Sequence, residues 1–277
     1  MTNPLRPLST GELLDRTFSI YRSHFGLFVG IFAIPHLVVL AYQCLGITFQ
    51  SPRPQLSQAM LTFVWALGAA LLGLVASAAS QAASVVAVSN VYLDRPASVS
   101  DSFSRVKDQI LPVIGLSLVV GIAVGFACIL LLVPGILLAL MWAVAVPAKV
   151  LEDKGVFDSM SRSSELTQGS RGRIFLIGLM IFALGLGVGS LLQAPIMIVA
   201  GANIFTGGAR ALGAGWRVAS QVGTFISQCL VGPIGTIAFS LVYYDQRVRK
   251  EAFDLQLMMS ALDAPTALPG SPQQIGA

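Results

Sequence analysis

The sequence predicts an all-α integral membrane protein: six spans, built as three units that each pair a short amphipathic helix with two membrane helices, both termini cytoplasmic. Three observations predict it. Hydrophobic residues fill 55% of the 277 positions and charged residues only 11%, against about 25% charged in soluble domains. The stretches 54–93, 109–148, 174–209 and 218–244 contain no Asp, Glu, Lys or Arg, and 23–52 contains only His24 and His36. Each is longer than the ~20 residues one helix needs to cross the hydrocarbon core. The third observation is a one-sided charge distribution, which emerges once the spans are placed.

In chain order, "MTNPLRPLSTGELLDRTFSIYRSHF" carries acids and polar residues ahead of any apolar run, unlike a cleavable signal peptide. The first span is expected over 26–46 and the second over 61–84. The second should continue as helix to about residue 92, ~48 Å in all at ~1.5 Å per residue, longer than the ~30 Å core. The third and fourth, 111–132 and 136–151, share one uncharged run. "LVPG" at 132–135 is expected to break it, because Pro134 cannot continue a helix and Gly135 permits a turn. The fifth and sixth spans are expected over 173–198 and 218–242, followed by a C-terminal helix over 245–262. Residues 1–262 form a single membrane domain on this reading. The Pro/Gly/Ser/Gln-rich 263–277 reads as a disordered cytoplasmic tail.

With these spans, 14 of the 17 Lys and Arg lie on the side of the termini, and only Arg53, Arg210 and Arg217 lie opposite. All 13 acids share the side of the termini. Basic residues stay cytoplasmic, so that side is the cytoplasmic one. The net charge of +4 and pI near 9.2 follow from this flanking pattern and point away from nucleic acid. Tyr243 and Tyr244 at the inner end of the last span and Trp216 at its outer end fit interfacial aromatic belts.

A short pattern occurs three times. "ELLDR" (12–16), "DSFSR" (101–105) and "DSMSR" (158–162) each set an acid four residues before an arginine, the favourable order for a helical pair. Ser9 and Ser98 stand three residues before Glu12 and Asp101, the spacing of a capping box. Gly155 holds the matching place before Asp158. Apolar stripes run through Leu14, Phe18, Tyr21 and Phe25, and through Val99, Phe103, Val106 and Ile110. The third helix is poorer, with Val156 and Met160 and then serines. Amphipathic helices of this kind lie in the membrane interface. Exposed pairs contribute only ~0.3–0.5 kcal/mol each, so a network is the arrangement that gives them weight. Its expected members are Glu12, Arg16, Asp101, Arg105, Asp158, Arg162, Asp245, Arg247, Arg249, Glu251 and Asp254, a cytoplasmic-side collar.

Uncharged polar residues mark a second candidate site. Ser77, Gln81 and Ser84 share a face of the second span; Gln221, Thr224 and Gln228 share a face of the sixth; Gln193 lies in the fifth. They read either as hydrogen bonds between helices or as a polar cavity between the second, fifth and sixth spans. His36, beside Pro35, reads as a hydrogen-bonded packing residue, and Lys149 as a snorkelling one. Gly185 and Gly189, and likewise Gly121 and Gly125, have the spacing of close helix contacts. Glu152, Asp153 and Asp158 read as a solvated loop. Cys44, Cys128 and Cys229 read as small buried residues, with a Cys44–Cys128 disulfide open as an alternative. No nucleophile elbow, zinc pattern or cofactor motif is present, so no catalytic, cofactor or metal residues are assigned.

"RPLSTGELLDRTFSIYRSHF", "LLVPGILLALMWAVAVPAKVLEDKGVFDSMSRSSELTQG" and "LVYYDQRVRKEAFDL" together resemble the membrane domain attached to some bacterial glycerophosphodiester phosphodiesterases, which also occurs alone. The resemblance covers roughly 5–257. It implies a multi-pass protein of the bacterial inner membrane. It does not carry over the phosphodiesterase chemistry, which in that family belongs to a separate soluble barrel. The expected function is a non-enzymatic scaffold or partner-binding module that uses the collar, with membrane lipids and a cytoplasmic or membrane protein as partners. The alternative is a lipid- or small-molecule-handling permease built on the polar cavity.

Overall fold

The computed structural model describes residues 8–49, 56–205 and 214–251. Asp254, most of the expected helix 245–262 and the tail 263–277 lie outside the described residues. Ten α-helices and one 3-10 turn account for nearly all that is described, with no strand among them. They are α1 (Thr10–Ser23), α2 (Phe25–Phe49), α3 (Leu56–Tyr92), α4 (Val99–Val106), α5 (Ile110–Leu130), α6 (Leu132–Met141), α7 (Ala145–Glu152), α8 (Val156–Thr167), α9 (Arg171–Phe205) and α10 (Ala214–Glu251). Six segments are long and apolar enough to cross a membrane: Phe25–Ile47, Ala59–Tyr92, Val99–Leu130, Leu132–Glu152, Arg171–Pro195 and Gly215–Glu251. The chain is an all-α multi-pass membrane protein, in which α1, α4 and α8 each precede a pair of spans.

Local sequence sets the starts of the short helices. Ser9 Oγ accepts the Glu12 N–H at 3.2 Å while Glu12 returns a carboxylate oxygen to the Ser9 N–H at 2.7 Å, a complete capping box. Ser98 Oγ accepts the Asp101 N–H at 3.1 Å and donates to the Asp101 carboxylate at 2.6 Å. Gly155 begins α8 with no side-chain cap.

The break between the third and fourth spans differs from expectation. The chain leaves helical geometry at Leu131, which is extended (φ −155°, ψ 128°). Pro134 lies in the first turn of α6, where a missing N–H costs nothing. Gly135 is a close-packing position: a Cβ there would lie 2.1 Å from Cys128 Sγ. The fourth span therefore begins at Leu132. Its real interruption is the turn 142–144 between α6 and α7, which frees backbone groups inside the bundle. The serines of α8 satisfy them. Ser163 Oγ and Thr167 Oγ1 donate to the Met141 carbonyl at 2.8 and 3.2 Å, and the Val144 N–H donates to Ser163 Oγ at 3.3 Å. The poor apolar stripe of α8 has this cause: its buried face holds Ser159, Ser163 and Thr167 beside Leu166.

The sixth span is part of the longest helix, α10. α10 runs unbroken to Glu251, so 245–251, the described part of the expected C-terminal helix, continues the helix of the sixth span. α10 packs against α1, α2, α3, α7, α8 and α9. Around it lie fully buried Phe28, Ile31, Ala82, Val85, Val88, Ile177, Ile237, Leu241 and Tyr243. The α1 stripe also differs: Leu13, Thr17 and Ile20 face the core, while Phe18 and Phe25 are exposed. The α4 stripe packs inward, with Val106 buried and Val99, Phe103 and Ile110 against the core.

α2 and α3 meet through a reciprocal notch. Tyr42 and Trp65 stack with ring centres 4.3 Å apart, each seated over a glycine of the opposite helix. A Cβ on Gly46 would lie 2.0 Å from the Trp65 ring and one on Gly68 2.3 Å from the Tyr42 hydroxyl. Gly185 and Gly189 do pack on α10, near Val231 and Ser227. Gly121 and Gly125 have nothing near them and lie on the outer face of α5 with exposed Ile122, Phe126 and Ile129. Such apolar outer surface is unfavourable in water and ordinary against lipid tails.

Candidate functional site

Two polar regions lie along α10. One is a charged layer at the end of the bundle where α1 begins. The other is a pair of cavities at mid-span.

The charged layer has two parts. The first is a closed ring of side chains from α7, α8 and α10. Glu152 accepts from Tyr243 Oη at 2.6 Å and from Arg162 Nε at 3.1 Å. Arg162 also bonds Glu251, Glu251 accepts from Arg247 Nε at 3.0 Å, and Arg247 returns to Tyr243 Oη at 3.5 Å. Lys154 adds a contact to Glu152 at 3.0 Å. Burial disfavours the Arg162 charge, yet its bonds to Glu251 and Glu152 outweigh burial and raise its pKa above the ordinary value. The second part centres on Asp245, whose side chain is 1% exposed. It accepts from Arg173 at 2.6 Å, from Arg249 at 2.9 Å and from the Leu8 N–H at 2.7 Å. The same two arginines donate to the Leu8 carbonyl at 2.9 and 2.5 Å. The backbone N–H and carbonyl of Leu8 are thus both held. Lys250 caps the last carbonyls of α8, at Glu165 and Gln168, where a cation also meets the negative end of the helix dipole.

The collar forms, with altered membership. Arg162, Asp245, Arg247, Arg249 and Glu251 are in it. Glu152, Tyr243 and Arg173 join them, so Glu152 belongs to the ring rather than to a solvated loop. Arg16 lies over the Tyr92 ring, 5.2 Å from its centre, and Tyr92 stacks on Tyr244. Glu12 caps α1. Asp101, Arg105 and Asp158 are exposed and enter no ion pair among the described residues, because neighbouring helices offer them no partner. The Asp101–Arg105 and Asp158–Arg162 pairs do not form. Lys149 is buried, and its ammonium reaches the exposed Asp153 carboxylate at 3.3 Å. A carboxylate at the end of an apolar span was the available signal for Glu152.

The mid-span cavities measure about 270 and 180 Å³ and adjoin, with His36, Ser77 and Gln228 lining both. Phe32, Gln81, Val85, Pro147, Thr236 and Phe239 complete much of the larger one, and Gln43, Ala69, Gln221 and Thr224 much of the smaller. No charged residue lines either. The helices involved are α2, α3, α7 and α10, hence spans one, two, four and six. This corrects the expected site between spans two, five and six. Gln193 is used elsewhere: its amide bonds the Ser220 carbonyl at 3.2 Å, Thr224 Oγ1 at 3.0 Å and, through its oxygen, Ser220 Oγ at 3.2 Å, which ties α9 to α10. Ser84 is fully buried outside the cavities, its hydroxyl without a partner. Ser77, Gln81, Gln221, Thr224 and Gln228 line the cavities as expected.

His36 is the hydrogen-bonded packing residue that the sequence suggests. Its Nδ1 lies 2.9 Å from the Phe32 carbonyl and its ring stacks on Phe32 at 5.8 Å, so the edge bearing Nε2 is left for the cavity. Gln43, Ser77, Gln81, Gln221 and Gln228 make no side-chain hydrogen bond to protein among the described residues. All three cysteines are free, so the Cys44–Cys128 disulfide is absent. Among the described residues no group of three or more His, Cys, Asp and Glu is placed to hold a metal ion. No protein-family model, curated protein or solved structure matches the chain.

Proposed function

We propose that the chain is a non-enzymatic, lipid- or small-molecule-handling protein of the bacterial cytoplasmic membrane, which takes an uncharged polar or amphiphilic guest into its mid-span cavities. One observation carries this reading: four glutamines and a serine face these cavities with no protein partner. None of the five is buried and Gln228 is exposed, so their polar groups are open to water or a guest. The lining residues of α10 run from Gln221 to Phe239, ~27 Å of helix, close to the ~30 Å of a hydrocarbon core. That extent suits a track across the bilayer. The scaffold reading relies on the collar, but the charges there satisfy one another and leave little for a partner.

The charge bias sets the collar on the cytoplasmic side. Ser77→Trp would fill the space shared by the two cavities. Native mass spectrometry of protein released from its own membranes should find a co-purifying small molecule on wild type and none on Ser77→Trp. Equal retention by the two would remove the cavities as the binding site.

A further inference from the structure

The chemistry of the lining narrows the class of guest. A carbonyl oxygen only accepts, so the Nδ1 that meets the Phe32 carbonyl at 2.9 Å carries the proton. In the neutral ring Nε2 is then an acceptor. It is the ring's open position, and His36 is the one lining residue besides Ser77 and Gln228 that serves both cavities. His36 stands eleven residues after Phe25, ~16 Å along α2, near the middle of a ~30 Å core. Around it the amides of Gln81 and Gln228 supply donors and acceptors, while Phe32, Val85 and Phe239 supply apolar wall. No lining side chain carries a charge to offset that of an ionic headgroup. A lone ion would lose its hydration with no partner to replace it.

We infer that the site is selective for a neutral, hydroxyl-bearing amphiphile, whose O–H donates to His36 Nε2 while its oxygen accepts from the Gln81 or Gln228 amide. This rests on the cavities being a binding site at all. Simple ethers and esters lack the donor, and carboxylates and amines bring a charge. A single such hydrogen bond is worth about a fivefold preference.

The test uses the full chain in phosphatidylcholine nanodiscs and three photoactivatable probes that share one hydrocarbon chain: a long-chain alcohol, its methyl ether and the corresponding carboxylate. Label on the segments 77–85 and 228–236 is quantified by peptide mass spectrometry, with the lipid-facing 122–130 of α5 as the background. The expected result is about fivefold more label from the alcohol than from the ether, and less still from the carboxylate. His36→Phe keeps a ring of similar shape and should bring alcohol and ether level. His36→Gln, which restores an acceptor, should recover part of the preference. Equal cavity labelling by alcohol and ether in wild type would overturn this inference and leave the binding site standing. So would stronger labelling by the carboxylate, or a preference that survives His36→Phe. Cavity labelling no higher than the α5 background for every probe would overturn the binding site and the inference together. The wild-type comparison needs no variant to fold.

Discussion

The charged layer and the mid-span cavities are both polar regions inside a mostly apolar bundle, and both are built largely on α10. They differ in who satisfies their hydrogen bonds. In the layer nearly every donor meets an acceptor of the same chain: Tyr243 to Glu152, Arg162 to two carboxylates, Asp245 to two arginines and a backbone N–H. In the cavities Gln81 and Gln228 meet none. A network closed on itself stabilises one arrangement of helices. An open set of amides stabilises nothing until something enters. Polarity in this protein is therefore satisfied within the chain at one end and without a protein partner in the middle.

Substitutions that treat the two regions alike would break this contrast. The largest effect is expected at Asp245. Asp245→Ala leaves Arg173 and Arg249 facing each other across the Leu8 peptide, and removal of one partner from a buried pair costs about 3–5 kcal/mol. Thermal unfolding in detergent should show a large fall in Tm, and an unchanged Tm would mean that the layer is not a lock. Arg162→Ala comes next, at roughly 2–3 kcal/mol, since it opens the ring at two carboxylates. Arg105→Ala is its control and should fall within about 0.5 kcal/mol of wild type. Equal losses for these two would return weight to the repeated motif itself. Gly232→Ala should cost about 1–3 kcal/mol, because its Cβ would lie 2.3 Å from the Phe32 ring. The displaced ring should also disturb the stack on His36 and weaken guest binding. The smallest effect on stability, within about 0.5 kcal/mol or slightly favourable, is expected for Gln81→Leu and Gln228→Leu, because each removes a group with no partner. Both should nevertheless reduce guest retention in native mass spectrometry. A destabilisation as large as that of Arg162→Ala would show these glutamines to be structural.

What could be read from the sequence was what lies within a few residues or has a strict period. Ser9 and Ser98 announced their helices through capping partners three residues on. The apolar runs gave six spans, and the spacing of Gly185 and Gly189 foretold a real contact. Longer relations were closed to such reading. Nothing near Glu152 indicates that Tyr243 and Arg162 converge on it, and nothing near Leu8 points to Asp245. The repeated acid–arginine spacing misled because it was judged as a local pair, whereas Arg162 finds its acids on α7 and α10. Ser77, Gln81, Gln221, Thr224 and Gln228 were identifiable as a polar face, but which helices close around them depends on packing. Gln193 shows the limit: the same residue type at the same depth serves as a bond between helices. The serines of α8 looked like a failing stripe until the turn after Met141 showed what they bind.

The clamp on Leu8 has a consequence for biogenesis. Leu8 and Asp245 are 237 residues apart, so this fastening of the segment before the first helix waits for a group made late in synthesis. Until α10 arrives, α2, α3 and α9 lack the neighbour that their buried faces need, and Arg173 has no carboxylate. Closure of the clamp thus reports that the chain has been made as far as the last of the six spans. A product cut short before residue 245 keeps an unfastened N-terminal segment and an uncovered seam, and leaves Arg173 without its carboxylate.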